Sequence, residues 1–230
     1  MPKPSTSGES GPQRGRRTPR ISGDDRERAI LDAAQRLLQQ KPVQDISIDD
    51  LTRGVGLSRP AFYFYFSSKT AVVLALLDRM AEAVLAASNQ RFEDADGDPV
   101  GQWRLAIQAS VQTWQEHSAV VVAVSQLRAA QPEISALWTQ IMERWVRRIT
   151  KAIEAERKRG VAPAGLPARD LAIALSLMNE RAMLAATMGE EPSLPEDQLV
   201  DILAQVWVNA IYLTPTPKAV NSTSKRRPRS

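Results

Sequence analysis

The chain has 230 residues, 43% hydrophobic and 24% charged, the composition of a globular protein with length for one large domain or two small ones. With no Cys and His117 as its single His, it excludes a disulfide framework, a thiol nucleophile, a Cys-ligated zinc site and a His-rich metal centre. The formal charge of +4 sits at the ends. Lys3, Arg14, Arg16, Arg17 and Arg20 outweigh Glu9 in residues 1–22, and Lys218, Lys225, Arg226, Arg227 and Arg229 face no acid in 218–230. The span between is mildly acidic. Basic arms of this kind reach along nucleic acid. A solubilising tail has the same composition, and that description fits the C-terminal segment better. No apolar run reaches the length of about 18 residues that spans a bilayer. The N-terminus lacks the apolar core of a signal peptide. The expected compartment is the cytoplasm, with no membrane contact.

Residues 1–22 are rich in Ser, Gly, Pro and Arg and are expected to be a disordered basic arm. Helical periodicity then begins: Ile30, Ala33, Ala34, Leu37 and Leu38 share one face, with Ser22 and Asp24 at the start and Pro42 past the end. In Ile46-Ser-Ile-Asp-Asp-Leu51, Ser47 is placed to cap, Asp50 to close a capping box, and Ile46 with Leu51 to staple the entry. That helix stops near Gly54-Val55-Gly56, where Gly56 suits a left-handed turn. Ser58 caps the next, with Pro60 in its first turn, where a missing N–H costs little. The run Phe62-Tyr-Phe-Tyr-Phe66 follows, and Ser68 caps a long helix carrying Val73, Leu77, Met80 and Val84. Residues 93–101 are acidic and Gly-rich and mark a domain boundary. Further helices are expected near 102–117, 119–129, 133–159, 168–188 and 196–213, divided by proline and glycine.

The aromatic run reads as strand or as helix. As a strand it has no pairing partner. As a helix, with about 100° between residues, Phe62 and Phe66 share an inner face and Phe64 points away. The helix is the better reading. Two short helices joined by a tight turn form a helix-turn-helix, whose second helix enters the major groove of double-stranded DNA. Arg59 then suits a guanine edge and Phe64 a thymine methyl. Tyr63 and Tyr65 suit phosphates, and Lys69 adds a cation at the next helix start. Ser47, Ser58 and Pro60 belong to the same face. Arg14, Arg16 and Arg17 would supply attraction along the minor groove, because residues 24–92 carry as many acids as bases.

The motifs Ile-Ser-Ile-Asp-Asp-Leu, Gly-Val-Gly-Leu-Ser-Arg-Pro-Ala-Phe-Tyr-Phe-Tyr-Phe and Ser68-Lys69 resemble the DNA-binding module of the TetR family over about residues 25–80. The similarity runs on through Leu-Leu-Asp-Arg and Leu-Met-Asn-Glu-Arg to Tyr212. It implies an all-α homodimer of about nine helices. Residues 23–68 would form a three-helix DNA-binding domain, 69–92 a connecting helix, 93–213 a ligand-binding and dimerisation domain, and 214–230 a disordered basic tail. It implies a repressor released from its operator by a small lipophilic effector, with a neighbouring monooxygenase gene as one target. It also implies an effector channel lined by Trp103, Ile107, Ser110, Trp114, Trp138, Met142, Trp145, Ser176, Asn179, Leu184 and Trp207. Ser110 and Arg148 stand where that channel has aromatics, Ser176 where it has a second Asn, and Leu184 where it has Phe. No metal, cofactor or catalytic residue is expected. Two other classes compete: a small helical enzyme, which the lack of nucleophile and phosphate-loop motifs opposes, and a ligand-free DNA-binding protein, which the tryptophans oppose. Glu180 and Arg181 read as an ion pair or as a solvated face. His117 reads as a helix-end residue whose cationic form the dipole favours.

Overall fold

The computed structural model describes residues 22–93 and 98–212. Among them the chain forms nine α-helices, one 3-10 turn and no strand. The arms holding Arg14, Arg16 and Arg17 and residues 214–230 lie outside the described residues. Helix α1 spans Gly23–Leu38, and Ser22 caps it by accepting from the Asp25 amide at 3.1 Å. A 3-10 turn at Val43–Asp45 leads to α2, Ile48–Arg53. The Ser47 capping box forms on both sides: Ser47 Oγ accepts from the Asp50 amide, and the Asp50 carboxylate accepts from the Ser47 amide. Gly56 turns the chain at φ +66°, a conformation that a side chain would strain.

Helix α3, Arg59–Tyr65, is capped by Ser58 and carries Pro60 in its first turn. The aromatic run is therefore helical through Tyr65, while Phe66 is already extended, at φ −133° and ψ 126°. Its ring still turns inward and lies 6.0 Å from that of Phe62. Ile30, Ile46, Leu51, Phe62 and Phe66 are all buried in one cluster, so the staple and the inner aromatic face meet in a single core.

Helix α4, Lys69–Glu93, has 25 residues and an axial length of about 37 Å. Val72, Val73, Leu76 and Leu77 sit in the core of α1–α3, whereas Met80 belongs to a second core. That second core is built by α5 (Pro99–Glu116), α7 (Pro132–Lys158), α8 (Ala168–Met188) and α9 (Leu199–Tyr212). Helix α6, Ser118–Arg128, sends Val120, Ala123 and Val124 into the first core, and α7 sends Ile134 and Ile141 there. The three-helix module α1–α3 therefore rests on α4, α6 and α7 together. No single described helix is long and apolar enough to cross a membrane.

Candidate DNA-binding face and effector cavity

Helix α3 divides the five aromatics by its rotation. Phe62 is 0% and Phe66 6% exposed, whereas Tyr63 is 48% and Phe64 84% exposed. Tyr65 is half-buried, its ring edge-on to that of Phe64 at 5.3 Å. Arg59 and Pro60 are exposed beside them, and the Arg59 guanidinium stands 3.9 Å from the Asp49 carboxylate of α2. Phe64 and Tyr63 together present exposed ring surface beside Arg59 on this face. Ser47 and Ser58 lie on the same exposed side, with their hydroxyls engaged in helix caps.

Lys69 departs from its expected role. Its ammonium donates to the carbonyls of Val43, Gln44 and Ile46 at 2.7, 3.1 and 2.9 Å, using all three protons. It clamps the 3-10 turn to the start of α4 and has no proton left for a phosphate. Burial lowers its pKa, opposed by the nearby Asp45 carboxylate.

Around the middle of α4, helices α4, α5, α7, α8 and α9 line a cavity of about 120 Å³. That is comparable with the ~150 Å³ apolar void that takes up benzene. All five tryptophans of the chain line it: Trp103, Trp114, Trp138, Trp145 and Trp207. The indole N–H groups of three of them are anchored in the protein. Trp103 donates to the Tyr212 hydroxyl at 2.9 Å, Trp114 to Thr187 Oγ1 at 3.0 Å, and Trp207 to Asn179 Oδ1 at 2.9 Å. Anchoring the polar edge leaves the ring faces for the cavity. Tyr212 in turn donates to the buried Glu156 carboxylate at 3.0 Å, and burial raises the Tyr212 pKa.

Ile107, Ser110, Met142, Ser176 and Asn179 line the cavity as the sequence reading has it. Leu184 does not. Met183, one position earlier, takes the wall, and helical rotation of about 100° carries Leu184 to the flank, against the second core. Ser110 brings little polarity, because its hydroxyl donates to the Ala106 carbonyl one turn back. Arg148 faces the cavity.

Other lining residues were not foreseen. Leu77, Met80, Ala81 and Val84 of α4 form one wall, and Glu180 a part of another. The apolar stripe on α4 was visible in the sequence, but nothing in it separated cavity wall from solid core. Glu180 does not pair with Arg181. It binds Arg128 at 3.1 Å, whose guanidinium also stacks over Trp138 at 5.3 Å, while Arg181 reaches Glu190. Consecutive residues on a helix point about 100° apart, so each finds its own partner.

His117 caps the junction of α5 and α6, with Nδ1 3.4 Å from Gln35 Nε2 of α1. Its pKa is lowered, first by burial and then by the Arg79 charge, with Glu116 opposing. The direction is opposite to the one expected from the helix dipole.

An exposed recognition helix after a tight turn, joined by one long helix to an apolar cavity, defines a helix-turn-helix regulator of transcription. The chain belongs to the TetR family, and is of the EthR type within it. Residues 30–76 match the family of bacterial regulatory proteins, tetR family, and residues 103–213 match the transcriptional regulator EthR, C-terminal domain. The HTH-type transcriptional regulator EthR of Mycobacterium tuberculosis is 48% identical over 200 residues, 86% of this chain and 93% of that protein. Its namesake in Mycolicibacterium smegmatis is 43% identical over 201 residues, 87% and 93% of the two chains. These relatives are DNA-binding regulators, not enzymes. In fold the chain is similar to a putative TetR-family regulator from Syntrophomonas wolfei, at TM-score 0.70 and 15% identity, covering 85% of this chain and 100% of that one. A putative regulator from Saccharomonospora viridis, in complex with choline, gives TM-score 0.69 at 20% identity over 81% and 96% of the chains.

Proposed function

We propose that the protein is a dimeric cytoplasmic repressor that holds double-stranded operator DNA with α3 and its basic N-terminal arm and is released by a small lipophilic effector. The observation that carries this reading is the convergence of all five tryptophans on one cavity that shares α4 with the module bearing the exposed ring of Phe64. Arg59 would read a guanine edge, Phe64 a thymine methyl, and Tyr63 the phosphates. Residues 23–68, 69–92 and 93–213 divide the work into DNA binding, connection, and effector binding with dimerisation. Leu177 of α8 and Val206 of α9 are 53% and 40% exposed, and their two helices offer the face for a second copy.

Leu77, Ala81 and Ile141 belong both to the core beneath the recognition helix and to the cavity wall. An effector that pushes on them favours another placement of the DNA-binding module. Two recognition helices must meet half-sites about 34 Å apart or a multiple of it, so a changed separation releases the DNA. The Saccharomonospora viridis regulator with choline supports the idea that this fold takes up small molecules.

The test is fluorescence anisotropy of the full chain against labelled duplexes tiled from DNA beside its own gene. The tiles include the promoter of any adjacent monooxygenase gene, the target that the resemblance implies. The expected result is binding to one tile that survives scrambled competitor. Binding to every tile alike, erased by salt, would overturn the operator reading.

A further inference from the structure

We infer that Tyr212, which stands outside the tryptophan cavity, is a positioning residue of the effector site: its hydroxyl fixes the pose in which Trp103 meets the effector. The inference rests on the effector reading above and adds to that site a residue that does not touch the ligand. Trp103 lines the cavity from α5, whereas Tyr212 is the last residue of α9 and is absent from the wall. The Trp103 indole N–H donates to the Tyr212 hydroxyl at 2.9 Å, and that hydroxyl lies 3.0 Å from Glu156 Oε2 of α7. Glu156 is only 5% exposed and is paired with Arg159 one turn on. A carboxylate in an ion pair accepts and does not donate. The single proton of Tyr212 therefore goes to Glu156, and its oxygen is left as an acceptor for Trp103. The chain of bonds has one direction, from α5 to α9 to α7, and it sets where the polar edge of Trp103 must point.

That edge decides which surface the effector meets. Trp103 is 4% exposed, and its ring lies 5.3 Å from that of Trp207 with 44° between the planes. Trp207 is held in turn by Asn179 Oδ1 at 2.9 Å. The two indoles form a corner of the cavity that is fixed from both sides, by Tyr212 and by Asn179. A wall fixed before the ligand arrives needs no ordering of its side chains on binding. Without the hydroxyl, the Trp103 N–H loses its acceptor at Tyr212, and the buried ring is no longer held in one pose.

The full chain is titrated with 1-octanol, a neutral lipophilic probe, following tryptophan fluorescence, and each variant is melted to show that it folds. Tyr212→Phe removes one oxygen and is expected to weaken 1-octanol binding at least about fivefold, the scale of one lost hydrogen bond. Trp103→Phe keeps a ring on the wall but has no N–H for Tyr212 to hold. In that background Tyr212→Phe should change the Kd by less than about twofold, because residues that act as a unit are not additive. A role in stability alone would lower melting in both backgrounds without that difference in Kd. Glu156→Gln leaves an acceptor for the Tyr212 proton and should keep the Kd within about twofold of wild type. An unchanged Kd in Tyr212→Phe, or the same fold-loss in the Trp103→Phe background, would overturn the inference and leave the effector reading standing. A loss in Glu156→Gln as large as that in Tyr212→Phe would overturn it too, since charge rather than hydrogen-bond direction would be the cause. If wild type does not bind 1-octanol at all, the effector reading fails, and this inference with it.

Discussion

Phe62 and Trp145 pack under opposite rules. Phe62 is fully buried, in contact with Phe66 and Tyr63, with its surroundings filled by Ile30, Leu51 and Val72. Trp145 is only half-buried, and the ring lines a void. The DNA-facing module spends its few large residues on closing space, because a module of three short helices has little other core to hold it. The larger domain has core enough in α7, α8 and α9 to leave a cavity open. The difference teaches where mutations should act on stability and where on ligand response.

The largest expected effect follows directly. Phe62→Ala should cost about 3–5 kcal/mol in urea-induced unfolding, because it removes a whole ring from a packed site. Trp145→Ala should cost about 1–2 kcal/mol, because part of its face already borders empty space and forfeits no dispersion contact there. Equal losses would mean that the cavity is closed in solution, and the contrast between the two regions would vanish.

Lys69 sharpens the comparison within the first region. If its role is the three carbonyls of the 3-10 turn, Lys69→Met should lower stability by about 2 kcal/mol. The slope of DNA affinity against salt should stay as in wild type. A slope reduced by about one phosphate contact with stability unchanged would restore Lys69 to the DNA face. Ser47→Ala should cost about 1 kcal/mol, since it removes the cap of α2 and the acceptor for the Asp50 amide. No loss on melting would mean that α2 is held by its packing alone.

The same comparison explains what could be read from the sequence. Around α2 and α3 the determinants are local: Ser47 with Asp50, Ser58 with Ala61, and Gly56 where φ is positive all lie within a few residues of what they control. The carbonyl bonds of Lys69 could not be read ahead, because its acceptors are backbone groups 23 to 26 residues away, and a carbonyl leaves no mark in a side-chain pattern. In the cavity, spacing alone could not separate Trp138, Met142 and Trp145 from ordinary core. The family resemblance implied that distinction, and at Leu184 it named a residue that packs against the core while Met183 lines the wall. Glu180 shows the same limit, since its partner Arg128 is 52 residues distant on another helix. Local rules place elements well, and they place the faces of long helices only when the neighbours are known.

His117 joins the two regions, and the smallest expected effect belongs to it. Its ring meets Gln35 of α1, and Gln35 also accepts from Arg79 of α4, which is paired to Asp32 at 2.7 Å. Burial, then the Arg79 charge, lowers the His117 pKa in the fold, with Glu116 opposing them. In the unfolded chain the same imidazole protonates near pH 6.5 or about that value. Above that pH both states are neutral, and the contribution is complete. As pH falls below it the unfolded chain takes up a proton that the fold refuses, so stability is lost on the acid side. His117→Asn removes that uptake. The stability of wild type minus that of the variant should therefore shrink as pH drops from about 7.5 to about 5.5, the range over which an ordinary imidazole titrates. The carboxylates titrate alike in both proteins and cancel in the difference. A gap that stays constant with pH would mean that His117 protonates as easily in the fold as out of it. The seam between the DNA-facing module and α5–α6 would then be open to water rather than closed over the ring.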